Sequence, residues 1–502
     1  MPEYASEPAA ELFARSRAFF EQMTQWLAGA EAAGLTHGEL EERAGERGRE
    51  LARLLYQDHL DLRAAREERR EQVTGPDGIA RARVEREHAR PLGTVFGQVT
   101  VTRMAYRAPG APNVHPADGQ LNLPEEKHSH GLRKLAAVES ARGSHEDAAA
   151  AIIRATGVRI GKRQVEELAR RAAADVDGFY AASRPGPSPD DVVLVLQCDG
   201  KGVVMRPEAL RPATAKVAAA AKNKLATRLS PGEKTGRKRM AELAAVYDCQ
   251  PASRTAGDII TAPGKQRPAR PPRPKTTGKW LTASVTSDIA AVIAAGFDEA
   301  ERRDPQHKRT WIALVDGNNT QIDAVSAEAA RRGVTVTVLC DFVHVLEYCW
   351  KAAWSFFETG DPDAEEWVAE QATKMLQGKA AQVAAGIRRR ATRFGYSAGE
   401  RAGADECARY LTAKTPWLDY HTALASGWPI ATGVVEGAAR WLVKDRMDIT
   451  GARWGLHGAE AILKLRALHA SGEFNDYWAF HLRQERQRLH QSRYRDSLTL
   501  AA

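Results

Sequence analysis

The chain lacks the patterns that define several large classes of protein. Its 502 residues contain only five cysteines, and no two of them form a Cys-x-x-Cys pair. The sequence therefore predicts neither a zinc ribbon nor a disulfide framework. No stretch approaches the ~18–20 apolar residues that a membrane-spanning helix requires, and the acidic first residues lack the apolar core of a secretory signal. We therefore expect a cytoplasmic protein, associated with the nucleoid if its partner is DNA.

What the chain does contain is an ordinary globular composition with a clustered basic excess. Hydrophobic residues make up 43% of the chain and charged residues 27%. Lysine and arginine total 72 against 64 acidic residues, which gives a net charge of +8. Several domains are expected, because single hydrophobic cores rarely exceed about 250–300 residues. The clustering of the basic residues favours a polyanionic partner.

The N-terminal part of the chain has helical and hairpin patterns. Residues 1–89 are predicted to be a helical region, with Leu51, Leu54, Leu55 and Leu62 near one helical face. Alternating residues over 90–107, with Gly97 at the turn, predict a β-hairpin, and a Pro/Gly/His-rich loop is expected to follow it.

A helix-turn-helix pattern follows within residues 143–173. Ser144 and Asp147 form a capping box, Gly157 ends the first helix, and a second helix begins around position 162. We therefore predict a DNA-binding domain over 90–182 that combines the hairpin with a helix-turn-helix, and an ordinary helical hairpin is the alternative. The basic side chains available for DNA on the second helix are Lys162, Arg163 and Arg170.

Beyond a Pro-rich linker at 183–191, the pattern changes to strands alternating with helices. Strands are predicted at 192–199, 202–206, 242–248, 310–316 and 334–341. Three strands are followed by alternating helices and strands, which is the element order of the ribonuclease-H-like fold. The expected fold class is multidomain α/β, in which residues 191–358 form a mixed five-stranded sheet with helices.

The remaining segments are assigned by composition. Residues 359–430 are predicted to be a helical insertion, 431–470 a helical region around Glu436, and 471–502 a basic tail that is helical or disordered. Two basic stretches inside the core, 216–239 and 263–279, are predicted to be mobile arms. The first arm contains Lys238 and Arg239, and its nearly unopposed charge favours contact with a phosphate backbone.

Acidic residues end two of the predicted strands. Asp199 follows the run "VVLVLQC" and Asp316 follows "WIALV", and each is followed directly by glycine. In a ribonuclease-H-like sheet the first and fourth strands are neighbours, so these carboxylates are expected to meet. Glu436, at the start of a helix between small residues, is the predicted third member. Such carboxylates suit two Mg²⁺ or Mn²⁺ ions, although each acid taken singly is more often a cap or surface residue.

Four motifs together resemble a known family. The segments "VLQCDGKGVVM", "ALVDGNNTQ", "CDFVHVLEYCWKAAW" and "TGVVEGAARWLVKDRMDITGARWGLHGAEAILKLRAL" are similar to bacterial DDE insertion-sequence transposases of the ISKra group, distant relatives of Mutator-type enzymes. The likeness covers residues from about 90 to about 480. It implies that Asp199, Asp316 and Glu436 are the catalytic, metal-binding triad, and that Asp341 and His344 form a supporting D-x-x-H signature.

The resemblance implies Mg²⁺-dependent cleavage of double-stranded DNA at terminal inverted repeats and transfer of the 3′-hydroxyl into target DNA. A homodimer or larger assembly is expected, because two DNA ends must be joined. Basic residues close to Glu436 in sequence are expected to hold the DNA backbone, namely Arg440, Lys444, Arg446 and Arg453. The chain departs from the expected pattern at Ala439 and Trp441, where relatives are expected to have cysteine and histidine.

Two other functions fit the same patterns. One is a ribonuclease-H-like structure-specific nuclease that cuts without strand transfer. The other is a transposase-derived DNA-binding regulator for which the acidic triad is dispensable.

Overall fold

The computed structural model describes residues 11–183, 189, 191–220, 225, 227, 237–261, 263–264, 273–449 and 451–493. By its internal contacts, the chain divides into two compact units. The first unit combines Met1–Ala181 with Phe474–Ala502, and the second is Ala182–Glu473. No helix in the described ranges is long and apolar enough to cross a membrane.

The first unit contains helices and a small antiparallel sheet. Its helices are α1 (Ala14–Ala28), α2 (Ala30–Ala33), α3 (His37–Ala65), α4 (Pro116–Gln120), α5 (His130–Arg142), α6 (His145–Thr156), α7 (Lys162–Ala172), α8 (Val176–Ala182, which ends at the unit boundary) and, from the C-terminal segment, α21 (Phe474–Leu489) with a 3₁₀ turn at Gln491–Arg493. Its strands are β1 (Val73–Thr74), β2 (Ala80–Arg81), β3 (Arg83–Thr94), β4 (Gly97–Ala108) and β5 (Ala111–Val114).

The local patterns of this unit are confirmed in part. The prediction of a helical region over 1–89 is wrong after Ala65, because β1, β2 and the first half of β3 lie in 73–89, where β3 pairs with β4. Strands β3 and β4 form the predicted hairpin with Thr94 paired to Gly97. The Ser144–Asp147 capping box is present, and Gly157 ends α6 in the left-handed conformation. The loop expected after the hairpin is instead strand β5 followed by helix α4. Helices α6 and α7 thus match the predicted helix pair, and its identity as a DNA-binding helix-turn-helix remains a prediction.

Helix α21 is joined to the first unit by buried ion pairs. The guanidinium of Arg133, which is fully buried, donates to Glu485 Oε1 at 2.6 Å. Asp175 forms two more ion pairs with the same helix, to His481 Nδ1 at 2.6 Å and to Arg488 at 2.5 Å. The first part of the predicted basic tail is therefore an ordered helix that belongs to the N-terminal unit.

The second unit is built on a five-stranded mixed sheet, as predicted. Its strands are β6 (Val193–Met205), β7 (Arg237–Gln250), β8 (Lys275–Ser284), β9 (Trp311–Val315) and β10 (Val336–Cys340). The order across the sheet is β10-β9-β6-β7-β8. Strand β9 is parallel to β6 and β10, and β7 is antiparallel to β6 and β8.

Two of the strand predictions are wrong. Strands 192–199 and 202–206 were expected to be separate, but β6 is continuous and pairs with β7 along its whole length. Gly200 and Gly202 do not turn the chain here; an added Cβ at Gly202 would lie 2.8 Å from the Lys238 side chain, so the glycines accommodate side chains of the neighbouring strand. Strand β8, the third strand of this unit in chain order, was not among the predicted strands, and it begins inside the predicted arm 263–279.

The described parts of the two predicted arms lie partly in regular structure. Residues 216–220 belong to helix α9 (Pro212–Ala220), and residues 237–239 begin β7. Most of 221–236 and 265–272 lies outside the described residues. The mobility of these stretches therefore remains a prediction.

Helices cover the sheet and form the insertion. Those that lie between or after the strands are α10 (Ala256–Ile259), α11 (Ile289–Arg303), α12 (Asn319–Arg332) and α13 (Phe342–Ala353), with a 3₁₀ turn at Pro207–Ala209. The insertion is helical, as predicted, and contains α14 (Pro362–Leu376), α15 (Ala380–Arg393), α16 (Ala402–Lys414), a 3₁₀ turn at Thr415–Trp417 and α17 (Tyr420–Ala425). After it come α18 (Gly433–Ala438), a π-helical segment (Ala439–Lys444), α19 (Asp445–Met447) and α20 (Leu456–Ala470).

The insertion shares one hydrophobic core with a face of the sheet. Val193 and Val195 of β6, together with Ile312 and Leu314 of β9, belong to the same buried cluster as residues of α13 to α17. Because side chains of a strand alternate between faces, Gln197 and Asp199 point to this same face of β6. The insertion is thereby anchored on the sheet face to which Asp199 points, against the first half of β6 and against β9.

Candidate active site

Asp199 and Asp316 lie at matching positions on neighbouring parallel strands. The register pairs Leu194 with Trp311 and continues to Gln197 with Leu314, two residues before each aspartate. Asp199 Oδ1 accepts a hydrogen bond from the backbone N–H of Gly200, the next residue in the chain, at 2.7 Å. The two aspartates are therefore level with each other, as predicted. The expectation that Asp199 ends a strand is wrong, because β6 continues to Met205 through its pairing with β7.

The pKa of Asp199 is affected by the other two predicted acids. Burial is the main cause that raises the pKa of Asp199, and the negative charges of Asp316 and Glu436 raise it further. A backbone hydrogen bond from Gly200 and the charge of Lys201 act in the opposite direction. Burial and the neighbouring acids therefore make ionisation of Asp199 less favourable than that of a free aspartate, and a nearby cation would offset this effect.

The turn after Asp316 is held by the insertion. Asp316 Oδ1 accepts from the Asn318 backbone N–H at 2.8 Å, and the Tyr410 hydroxyl of α16 donates to the Asp316 carbonyl oxygen at 3.4 Å. Gly317 has φ +88°, and an added Cβ would lie 2.3 Å from the Tyr410 hydroxyl oxygen. Only glycine fits this turn, which explains the Asp-Gly pair in the sequence.

Glu436 is connected to Asp341 through Thr432. The Thr432 hydroxyl lies within hydrogen-bond distance of Asp341 Oδ2 and is 2.9 Å from Glu436 Oε1. Asp341 is fully buried, and its Oδ1 accepts from the Val343 backbone N–H at 2.9 Å, which caps helix α13. Asp341 therefore acts as a cap and as a contact to the segment that carries Glu436.

The single proton of the Thr432 hydroxyl limits the hydrogen bonds between this side chain and the two carboxyl groups. A hydroxyl has one proton and can donate to one carboxylate at a time, so its second carboxylate neighbour is favoured in the protonated form. Burial raises the pKa of Asp341, and the nearby Glu436 raises it as well, while hydrogen bonds from Thr432 and Val343 lower it. The hydroxyl of Thr432 therefore bridges a pair of acids, of which Asp341 is buried and Glu436 is exposed.

His344 lies on α13, one turn from its start, and is half-buried. No hydrogen bond or ion pair of its side chain is present among the described residues, and its supporting role remains a prediction.

The predicted DNA contacts near Glu436 differ in exposure. The Arg440 side chain is 79% exposed, and Lys444 and Arg453 are also exposed. Arg446 differs from the expectation, because it is only 3% exposed and its guanidinium lies 4.8 Å from the centre of the Trp454 ring. In this structure Arg446 therefore packs inside the second unit instead of facing solvent.

The other predicted contacts lie on α7 and β7. Lys162 and Arg163 are exposed at the start of α7, and Arg170 is exposed but paired with Glu167 at 2.9 Å. Lys238 is exposed on β7. Arg239 is half-buried and donates to the Val285 carbonyl at 2.5 Å, so its guanidinium is engaged within the unit.

The segment after Glu436 contains a π-helical turn that the sequence did not predict. It spans Ala439–Lys444 and includes both positions that depart from the expected pattern. Ala439 is buried, whereas Trp441 is 40% exposed. Arg466 holds Trp441 in place: its guanidinium lies 4.2 Å from the ring centre and donates to the Trp441 carbonyl.

Among the described residues, no lysine or arginine forms an ion pair with Asp199, Asp316, Asp341 or Glu436. In the same part of the chain, no three His, Cys, Asp or Glu side chains are grouped closely enough to hold a metal ion. The site therefore has the charge and the oxygen donors that a cation needs, but not a preformed cage.

Comparisons with known proteins give no further assignment. No protein-family model matches the chain, and no curated protein is similar to it.

Proposed function

We propose that this protein is a DDE transposase with a ribonuclease-H-like catalytic core. The observation that supports this most directly is the parallel register of β6 and β9. It pairs Gln197 with Leu314 and so brings Asp199, midway along β6, level with Asp316, which directly follows β9. The influence of both Asp316 and Glu436 on the pKa of Asp199 adds support for a functional group of three acids. A buried acid whose pKa is raised by neighbouring acids is typical of catalytic centres.

The donor set fits divalent cations in its chemistry. Asp199, Asp316 and Glu436 would hold Mg²⁺ or Mn²⁺, two ions in total, since hard carboxylate oxygens are the ligands these ions prefer. Such ions would supply positive charge for phosphate oxygens and would make a water molecule easier to deprotonate. The side chains must move closer to one another for this, and uncompensated carboxylates repel until positive charge is added.

The chain's own residues bind and orient the DNA. Arg440, Lys444 and Arg453 are exposed and would contact phosphates beside Glu436. Water attacks a phosphodiester at the end of the element, and a 3′-hydroxyl leaves. That hydroxyl then attacks a phosphodiester of the target DNA, so one phosphodiester is broken and another is formed without a covalent protein intermediate.

Recognition of the element's ends is assigned to the first unit. Lys162 and Arg163, exposed at the start of α7, would contact double-stranded DNA of the terminal repeats, with Arg170 on the same helix. A dimer or larger assembly on DNA would bring two ends together.

The test is cleavage of a plasmid that carries the genomic sequence flanking both sides of the coding sequence. Wild-type protein with Mg²⁺ is expected to cut at the repeats and to produce joined strand-transfer products. Asp199→Asn, Asp316→Asn and Glu436→Gln are expected to bind the same DNA without cutting it. Asp323→Asn is the matched control, because Asp323 is an exposed acid seven positions after Asp316.

Each alternative predicts a different result. Cleavage without joined products identifies a nuclease instead of a transposase. Specific DNA binding without cleavage by the wild type, with binding unaffected by chelation, identifies a non-catalytic regulator. Equal cleavage by wild type and Asp199→Asn would show that the assignment of the three acids as catalytic residues is wrong.

A further inference from the structure

Gln197 is a fully buried amide in an otherwise apolar part of β6. Its neighbours Leu196 and Cys198 are also buried, and its exposed fraction is 0%. An amide in such a position is costly unless its polar atoms are hydrogen-bonded. Gln197 precedes Asp199 by two residues, so both side chains leave the strand on the same face.

The hydrogen bonds of Gln197 lead to the segment that carries Glu436. Its Oε1 accepts from the Val435 backbone N–H at 2.9 Å, and its Nε2 is 3.3 Å from the Ala431 carbonyl oxygen. The same Nε2 donates to the Tyr247 hydroxyl at 2.8 Å. One side chain of β6 thus binds the backbone on both sides of the turn into α18, and Val435 directly precedes Glu436.

The contact to Val435 replaces a missing helix cap. The first N–H groups of a helix have no partner within the helix, and a side chain at the N-cap position usually accepts from one of them. Thr432 occupies that position in α18 but makes no capping hydrogen bond, because its hydroxyl contacts Asp341 and Glu436 instead. Gln197 supplies the acceptor from a strand that is distant in sequence.

We propose that Gln197 is a positioning residue that fixes Glu436 relative to Asp199. This inference rests on the proposed function of the three acids. The other side of the segment is held by the β10–α13 junction, where the Phe342 backbone N–H donates to the Ile430 carbonyl at 2.9 Å. Gln197 provides side-chain hydrogen bonds from the strand of Asp199 itself, so its loss removes these hydrogen bonds between β6 and the segment that carries Glu436.

The test is a double-mutant cycle between Gln197→Leu and Glu436→Gln. Leucine keeps the approximate volume and removes both hydrogen bonds to the segment. Mn²⁺ affinity, measured by the electron paramagnetic resonance signal of free Mn²⁺, gives a readout that does not depend on turnover. DNA affinity and plasmid cleavage are measured alongside it, and thermal unfolding checks the fold.

Gln197→Leu is expected to weaken Mn²⁺ binding and to slow cleavage by about 10–100-fold, the usual effect of losing a residue that orients a metal ligand. DNA affinity without metal should be unchanged. In the Glu436→Gln background, the same substitution should cause no further loss of Mn²⁺ affinity. Hydrogen exchange over residues 431–436 should become faster in Gln197→Leu.

Gln371→Leu is the matched control, because Gln371 is also buried, at 8% exposure, but lies on α14 of the insertion. It should leave Mn²⁺ affinity and exchange at 431–436 unchanged. The inference is overturned if Gln197→Leu binds Mn²⁺ and cuts as the wild type does, or if its effect is equally large in both backgrounds. A wild type that neither binds Mn²⁺ nor cuts overturns the proposed function first, and the inference with it.

Discussion

Thr432→Val removes one hydroxyl from the acid pair and keeps the shape of the side chain. Thr432 is 4% exposed and its hydroxyl contacts the fully buried Asp341. The variant leaves Asp341 Oδ2 without this donor, whereas Oδ1 keeps its hydrogen bond from the Val343 N–H. We expect the second unit to lose stability while its sheet stays intact.

The magnitude follows from the kind of hydrogen bond that is lost. A hydrogen bond to a charged group contributes about 1.5–3 kcal/mol, so the free energy of unfolding should fall by about 2 kcal/mol when Asp341 is ionised. The Thr432 hydroxyl lowers the pKa of Asp341, so its removal raises that pKa further. The destabilisation should therefore be larger at about pH 8 than at about pH 5, where more of the Asp341 is protonated in both proteins.

The assay is urea unfolding of the full chain, followed by the transition of the second unit at both pH values. Thr432→Ser keeps the hydroxyl and serves as the matched control, together with Thr412→Val, whose hydroxyl bonds only the Ala408 carbonyl of its own helix at 2.7 Å. If Thr432→Val is as stable as Thr432→Ser, or if its loss is the same at both pH values, the described acid pair is incorrect.

Three further predictions concern single sites. Gly317→Ala should destabilise the second unit by more than ~2 kcal/mol, because φ is +88° and the new Cβ would meet the Tyr410 hydroxyl. In urea unfolding, the loss of stability should be smaller when the substitution is made in the Tyr410→Phe background, which lacks that hydroxyl. Arg133→Met should cost the first unit about 3–5 kcal/mol, because Glu485 would remain buried without its partner; an unchanged midpoint in denaturant would contradict the buried ion pair. Burial raises the pKa of Asp175, but hydrogen bonds from a histidine and an arginine of α21 outweigh this effect and lower the pKa to about 2. The stability from this group should be present above the unfolded pKa and be lost as pH falls through about 2, and Asp175→Asn should flatten acid unfolding in that range.

The features that the sequence predicts well are those with a local cause. The hairpin follows from alternation around Gly97, and the start of α6 follows from the Ser144–Asp147 capping box. The adjacency of Asp199 and Asp316 is also predictable, because element order limits the ways in which the strands can pair. These inferences need no knowledge of contacts between distant residues.

The features that the sequence does not predict depend on such contacts. Gly200 and Gly202 indicate a turn when read alone, but they pair with β7 and leave room for its side chains. Strand β8 was missed because its first residues continue a Pro-rich basic stretch, and pairing with β7 determines its structure. Thr432 and Gln197 have no local signal of their role, since each acts on a residue from another part of the chain.

The position of α21 has a consequence for biosynthesis. Residues 474–489 complete the N-terminal unit, yet the ribosome produces them after the whole of 182–473. The first unit therefore stays incomplete throughout translation of the second, because Glu485, the ion-pair partner of Arg133, has not yet been made. The sheet that carries the acids can form on the nascent chain before residues 474–489 are made, whereas the N-terminal unit reaches its final state only after they are made.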